Sequence, residues 1–220
     1  MTLHQPVKTL VLDFDGTLAD SQISIIRTVQ LTLQQLGFEQ VDEGSVRKLI
    51  GLPLEDTFAK AAHFTDTALI QKAVDLYRAN YTAINYEHTV LFPGVKETLA
   101  YLQQQGVALT IASSKWRNVL IDSLDHLKLT GYISFLLGDD DVPHSKPAPD
   151  MVWRLMELTG SKPEETMVVG DTAYDIAMGK GAGSLTCGVT YGNGTREELD
   201  AQQADYVISD FRQLKTIVLG

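Results

Sequence analysis

Residues 7–17 read VKTLVLDFDGT, a short apolar run that ends in two aspartates and a glycine. The run Val7 to Leu12 has the length and the branched apolar side chains of a buried β-strand. Similar runs recur along the chain at Val107 to Ala112, Tyr132 to Leu137, Thr166 to Val169, Ser184 to Val189 and Tyr206 to Ile208. Helical patterns separate most of these runs, so the sequence predicts an α/β fold with a parallel sheet covered by helices on both faces.

One interval in this alternation contains helical patterns only. It covers residues 19 to 88, much more than a crossover between two parallel strands needs. We therefore expect an inserted α-helical cap domain at residues 19–88 and a three-layer Rossmann-like catalytic core made of residues 1–18 and 89–220. Asp20 and Ser21 are expected to cap the first helix of the insertion.

Composition and charge exclude several classes of protein. The formal net charge of −10 disfavours binding to nucleic acid or to an acidic membrane surface. No apolar stretch has the length of a membrane-spanning helix, and the first residues lack the pattern of a secretion signal. Cys187 is the only cysteine, which rules out an intramolecular disulfide. We expect a cytoplasmic protein, and the sequence leaves its oligomeric state open between monomer and dimer.

Polar residues follow the predicted strands directly. Asp13 and Asp15 come after the first strand, Ser113 after the second and Asp171 after the fourth. Because the carboxyl ends of parallel strands meet at one edge of the sheet, these side chains are expected to converge there. Carboxylates so close together repel unless a cation lies between them, and Mg²⁺ prefers oxygen ligands. Asp175, one helical turn after Asp171, is placed to orient the metal ligands.

A buried anion site in an acidic protein also needs a local positive charge. Lys146 lies between Ser145 and Pro147 in a loop that prolines stiffen, and it can supply that charge. The Ser113 hydroxyl is a short donor suited to a phosphoryl oxygen.

These segments resemble the motifs of the haloacid dehalogenase superfamily, specifically its phosphoglycolate-phosphatase-like members with a helical cap. The resemblance covers essentially the whole chain. In order, the matching segments are Asp13-Phe14-Asp15-Gly16-Thr17, Ser113, Lys146-Pro147 with Pro149, and Gly170-Asp171 with Asp175.

The resemblance implies a mechanism. Asp13 attacks phosphorus to form an aspartyl-phosphate, and Asp15 protonates the leaving oxygen. Mg²⁺ is held by the Asp13 carboxylate, the Asp15 main-chain carbonyl and Asp171. Ser113, Ser114, Lys146 and Thr17 are the residues implied to bind or position the phosphoryl group.

The expected substrate is a small phosphorylated metabolite, with 2-phosphoglycolate favoured by the resemblance alone. Inorganic pyrophosphate hydrolysis and a β-phosphoglucomutase-like phosphotransfer use the same core residues and stay open. A phosphoryl-accepting signalling domain is an alternative of another class. In the cap, Arg47 and Lys48 are candidates to meet a second anionic group on the substrate, although a solvated basic pair is at least as plausible a reading.

Overall fold

The computed structural model describes residues 7–220. The strands are β1 (Thr9–Leu12), β2 (Ala19–Asp20), β3 (Val90–Leu91), β4 (Ala108–Ala112), β5 (Phe135–Leu137), β6 (Thr166–Gly170), β7 (Leu185–Val189) and β8 (Tyr206–Ile208). The helices are α1 (Gln22–Gln35), α2 (Glu43–Arg47), α3 (Leu54–Ala61), α4 (Thr67–His88), α5 (Val95–Gln104), α6 (Arg117–His126), α7 (Asp150–Thr159), α8 (Ala173–Gly181), α9 (Arg196–Ala201) and α10 (Leu214–Leu219).

Six of these strands form one parallel sheet in the order β5-β4-β1-β6-β7-β8. Strand β1 lies in the middle, where Leu12 pairs with Ile111 of β4 and Val169 of β6. All four residues of β1 are buried, as expected for a parallel strand covered on both faces. The end of β1 therefore lies between the ends of β4 and β6.

Helices cover both faces of this sheet. Alternate residues of β1 enter different apolar clusters, with Leu10 and Leu12 in one and Val11 in the other. Residues of α5, α6 and α10 complete the first cluster, and residues of α7 and α8 complete the second. The predicted three-layer α/β fold is confirmed.

Helices α1 to α4 form the inserted segment. Strands β2 and β3 pair antiparallel where the chain leaves and re-enters the sheet region. The four helices bury an apolar cluster that includes Val29, Phe58 and Tyr77, with α1 packed along α4. The predicted helical insertion is thus present, whereas its limits as a separate domain at residues 19 and 88 stay a prediction.

Several local predictions differ from the structure. Strand β5 begins three residues later than expected, and residues 43–50, which read as helical in sequence, form a helix only as far as Arg47. A glycine such as Gly131 typically ends a helix, but α6 ends at His126 and Lys128 adopts the left-handed conformation, with φ 58°. Strands β2 and β3 were not predicted, because two residues are too few for a periodic pattern. Within residues 7–220, no helix is both long and apolar enough to cross a membrane.

Candidate active site

Three buried carboxylates meet at the carboxyl edge of the sheet. Asp13 follows β1, Asp171 follows β6, and Asp175 lies in the first turn of α8. One oxygen from each lies within 4.8 Å of one oxygen from each of the others. The Asp13 backbone N–H donates to the carbonyl of Val169 at 2.9 Å, which continues the β1–β6 register past the strand end. Neighbouring parallel strands thus bring together acids that are far apart in sequence.

Lys146 is the cation that this carboxylate cluster contacts directly. Its Nζ donates to Asp13 Oδ1 and to Asp175 Oδ1, both at 2.6 Å, and the Lys146 side chain is 2% exposed. Burial by itself disfavours the ammonium form, but the carboxylates of Asp13 and Asp175 outweigh it and hold the pKa of Lys146 above its ordinary value. The lysine is therefore a fixed positive charge beside Asp13.

Two further sets of hydrogen bonds fix the other acids. The Asp175 carboxylate accepts from the Thr172 backbone N–H at 3.0 Å and from the Thr172 hydroxyl at 2.6 Å. Asp171 accepts from the Thr17 hydroxyl at 3.2 Å and from the Asn193 backbone N–H at 2.6 Å. Thr17 thus holds Asp171 in place, and Asn193 is a further site residue that no motif in the sequence marks.

The cluster carries more negative charge than its lysine balances. Burial, and then the charge of Asp175, raises the pKa of Asp171 to about 7. Burial also raises the pKa of Asp13, with Asp175, Asp171 and Asp15 adding to the effect and Lys146 opposing it. A divalent cation held by carboxylate oxygens would relieve this excess.

Two glycines let the backbone pass close to the Asp171 side chain. A Cβ on Gly16 would lie 2.1 Å from Asp171 Oδ2, and one on Gly192 would lie 2.4 Å from it. Gly16 also has φ 84°, a conformation that glycine adopts at little steric expense. The donor types and the excess negative charge fit a divalent cation, and the choice of Mg²⁺ stays a prediction.

The Asp15 side chain points to a different set of partners. Its Oδ2 lies 2.9 Å from the Nζ of Lys115, and its Oδ1 accepts a hydrogen bond from the Ser21 hydroxyl. Lys115 also lies over the ring of Tyr81 in α4, 4.4 Å from the ring centroid. Ser21 was expected to cap α1, but its side chain makes no capping bond, since it is bonded to Asp15.

The two serines after β4 have different surroundings. Ser113 is buried, and its Oγ accepts a hydrogen bond from the Lys115 backbone N–H at 3.2 Å. The Ser114 hydroxyl donates to the carbonyl of Gly51 at 2.8 Å, so it joins the sheet region to the inserted helices. Both serines line the same cavity as Asp13 and Asp15.

That cavity, called the active-site cavity below, lies between the inserted helices and the carboxyl edge of the sheet. Apolar and aromatic side chains form much of its wall, among them Ile50, Leu52, Tyr77, Tyr81 and Trp116. Tyr77 and Tyr81 lie in α4 and carried no sequence signal beyond an ordinary helical pattern.

The basic pair predicted to select the substrate lies elsewhere. Arg47 and Lys48 are exposed, and neither lines the active-site cavity. Arg47 instead borders a separate small pocket beside Asp20 and Asn193. The structure does not bring Arg47 or Lys48 together with the acids.

The parallel sheet is covered on both faces, and acids and a buried lysine lie at its strand ends below a helical insertion. This combination is typical of one class of α/β hydrolytic enzymes. Residues 10–189 match the family of haloacid dehalogenase-like hydrolases. The chain belongs to this family, as its sequence motifs predicted.

Named relatives cover nearly the whole chain. A phosphoglycolate phosphatase of Pseudomonas putida is 31% identical over 94% of this chain and 78% of that protein. A pyrophosphatase of Bacillus mycoides is 32% identical over 96% of this chain and 97% of that protein. The solved structure of a haloacid dehalogenase-like hydrolase from Bacteroides fragilis aligns with a TM-score of 0.90 and 29% identity, over 94% of this chain and 99% of that one.

Proposed function

We propose that this chain is a Mg²⁺-dependent phosphatase that hydrolyses small phosphate monoesters through an aspartyl-phosphate on Asp13. The observation that carries the proposal is the cluster of Asp13, Asp171 and Asp175 around Lys146, with the Asp15 carboxylate opening on the same cavity. A nucleophile, an acid–base group and charge-balancing groups are thus available at one place.

Two steps account for hydrolysis with these residues. In the first, a carboxylate oxygen of Asp13 bonds to phosphorus while the bond between phosphorus and the leaving oxygen breaks, and Asp15 gives its proton to that oxygen. In the second, Asp15 takes a proton from water as the water oxygen attacks the phosphoryl group, which releases phosphate and restores the Asp13 carboxylate. In this structure both Asp15 oxygens accept, one from the Lys115 ammonium and one from the Ser21 hydroxyl, so one of these two contacts must open before Asp15 can carry the proton that it gives to the leaving oxygen.

Charge on the phosphoryl oxygens must be stabilised throughout. Asp13 and Asp171 would hold Mg²⁺, with the Asp15 main-chain carbonyl as the third protein ligand that the family resemblance implies; the ion neutralises phosphoryl charge when bound. Lys146, Ser113 and Ser114 are proposed to contact the phosphoryl oxygens, with Ser114 first giving up its bond to Gly51. Thr17 and Asp175 act by holding Asp171 and Lys146.

We further propose that residues 19–88 move as a cap. The β2–β3 pair lies where both connections cross, and the Ser114–Gly51 and Lys115–Tyr81 contacts join the two sides. Closure would exclude water from the phosphoryl transfer, and opening would release product. A cytoplasmic location and a small-metabolite substrate are part of the same proposal.

Two substrate classes are supported by relatives that cover almost the whole chain, one named for phosphoglycolate and one for pyrophosphate. Both reactions release inorganic phosphate with the residues described above. A mutase would instead return the phosphoryl group to a sugar, and a signalling domain would stop after one phosphorylation.

The decisive experiment measures phosphate release from a panel of phosphate esters and pyrophosphate in the presence of Mg²⁺. We expect multiple turnovers for the wild type, and we expect Asp13→Asn to reduce turnover by at least about 10³-fold, because the nucleophile is lost. Asp122→Asn, an exposed carboxylate on α6, is the matched control and should keep full activity. Activity of Asp13→Asn above a few per cent of wild type, or a single turnover by the wild type, would contradict the proposal.

A further inference from the structure

Arg78 on α4 lines the active-site cavity, yet it takes no part in the proposed reaction. Its guanidinium carbon lies 3.2 Å from the ring centroid of Trp116, the residue before α6. A guanidinium stacked this closely has its plane set by the indole, while the N–H groups at its edge stay available to an acceptor. The stack therefore fixes a planar cation in the cavity wall.

The donors of Arg78 are poorly satisfied. Among residues 7–220, the buried Nε has no hydrogen-bond partner. The terminal nitrogens come no closer than 3.7 Å to Glu55 and 4.0 Å to Asp75, which are ion-pair distances and too long for hydrogen bonds. Within residues 7–220 the terminal nitrogens make only these long contacts, so a carboxylate that accepts from them would form hydrogen bonds that they lack.

The other cation that lines the cavity is already engaged. Lys115 pairs with Asp15 at 2.9 Å and lies over the ring of Tyr81. The cavity wall also includes aliphatic side chains such as Ile50 and Leu52, which have no polar group that could bind a charged ligand. Of the two cations that line the cavity, Arg78 is thus the one whose terminal N–H groups are left for a charged group of a ligand.

We propose that Arg78 determines specificity by binding a carboxylate on the leaving group, which makes the substrate a phosphorylated hydroxy acid. The planar fork of arginine matches a carboxylate, with which it can form two parallel hydrogen bonds. This inference rests on the phosphatase function proposed above.

The acids around Arg78 favour a singly charged group over a doubly charged one. Glu55 and Asp75 lie within 4.0 Å of its guanidinium, and Asp139 lines the same cavity. These carboxylates repel a dianionic phosphate more strongly than a carboxylate. The leaving phosphate of pyrophosphate is therefore a poorer occupant than a carboxylate.

The test compares three substrates with the full-length chain and Mg²⁺: 2-phosphoglycolate, ethyl phosphate, which has the same carbon number without the carboxylate, and pyrophosphate. The wild type is expected to have its highest kcat/KM with 2-phosphoglycolate. Arg78→Met is expected to lower kcat/KM for 2-phosphoglycolate by about 10- to 100-fold, mainly through KM, and to change that for ethyl phosphate by less than about twofold. Arg154→Met, an exposed arginine on α7, should change neither value.

Equal losses on both esters, or no loss on either, would overturn the role of Arg78. A wild-type preference for ethyl phosphate or pyrophosphate would overturn the carboxylate assignment. If Arg78→Met does not fold, Arg78→Lys keeps the charge without the planar fork and must still show a selective loss on 2-phosphoglycolate. A wild-type chain that hydrolyses none of the three substrates would instead refute the proposed function itself.

Discussion

Replacement of Lys146 by methionine tests the electrostatics of the site most directly. The side chain is 2% exposed and makes two bonds of 2.6 Å, to Asp13 and to Asp175. Its removal leaves three carboxylates within 4.8 Å of one another with no lysine between them. Breaking a buried ion pair by removing one partner destabilises a protein by about 3–5 kcal/mol. We expect a loss of that size in the free energy of unfolding of Lys146→Met, measured without metal.

The assay is urea unfolding at pH 8 in a chelating buffer, followed by circular dichroism. Lys180→Met is the matched control, because Lys180 pairs with Asp205 at the same distance of 2.6 Å but is 37% exposed. Exposed pairs contribute about 0–1 kcal/mol, so the control should change little. Equal changes in the two variants, or a loss below about 1 kcal/mol for Lys146→Met, would refute the buried-charge reasoning. Added Mg²⁺ should recover part of the loss, since a cation can replace the missing charge.

Two further expectations concern the acids and the space beside them. In chelator, the free energy of unfolding of the wild type should fall as pH rises from about 4 to about 7. The reason is that folded Asp171, whose pKa is raised from 3.8 to about 7, keeps a proton that the unfolded chain releases; increasing stability over this interval would count against the assignment. Gly192→Ala should raise the Mg²⁺ concentration for half-maximal activity by about tenfold or more, because its Cβ would lie 2.4 Å from Asp171 Oδ2. Gly131→Ala, which has open space around it, should leave a magnesium titration of activity unchanged.

The surroundings of Asp15 connect the site chemistry to the inserted helices. Its carboxylate contacts Lys115, and Lys115 lies over Tyr81 of α4. Displacement of α4 would therefore remove one support from the group proposed to transfer the proton. If residues 19–88 move as proposed, the acid–base step would be coupled to closure through the contacts of Lys115 with Asp15 and Tyr81.

Motif residues could be predicted from sequence because they depend on local order. Asp13, Ser113 and Asp171 each follow an apolar run directly, and parallel strands bring such positions to one edge of a sheet. Ser21 shows the limit of this reasoning. A serine before a helix is usually a capping residue, and only the approach of Asp15 reassigns its hydroxyl.

The arginine proposed to select the substrate could not be predicted from sequence, because no local pattern separates it from ordinary helix positions. Arg47 and Lys48 looked suitable as a basic pair next to a loop, but they are exposed outside the active-site cavity. Arg78 is a single arginine in a helix of 22 residues. The proposed role of Arg78 in binding a carboxylate depends on Trp116, which lies in another part of the chain and stacks on Arg78 only after folding.

The amino-acid sequence alone determined the α/β class, the family and the identity of the acids and lysine at the strand ends, since strand periodicity and short motifs are local properties of a chain. Tertiary structure decided which carboxylates share a cluster, which oxygens Lys146 contacts, and which cations line the active-site cavity. These outcomes depend on distances between segments that are remote in sequence, and burial turns those distances into large electrostatic energies.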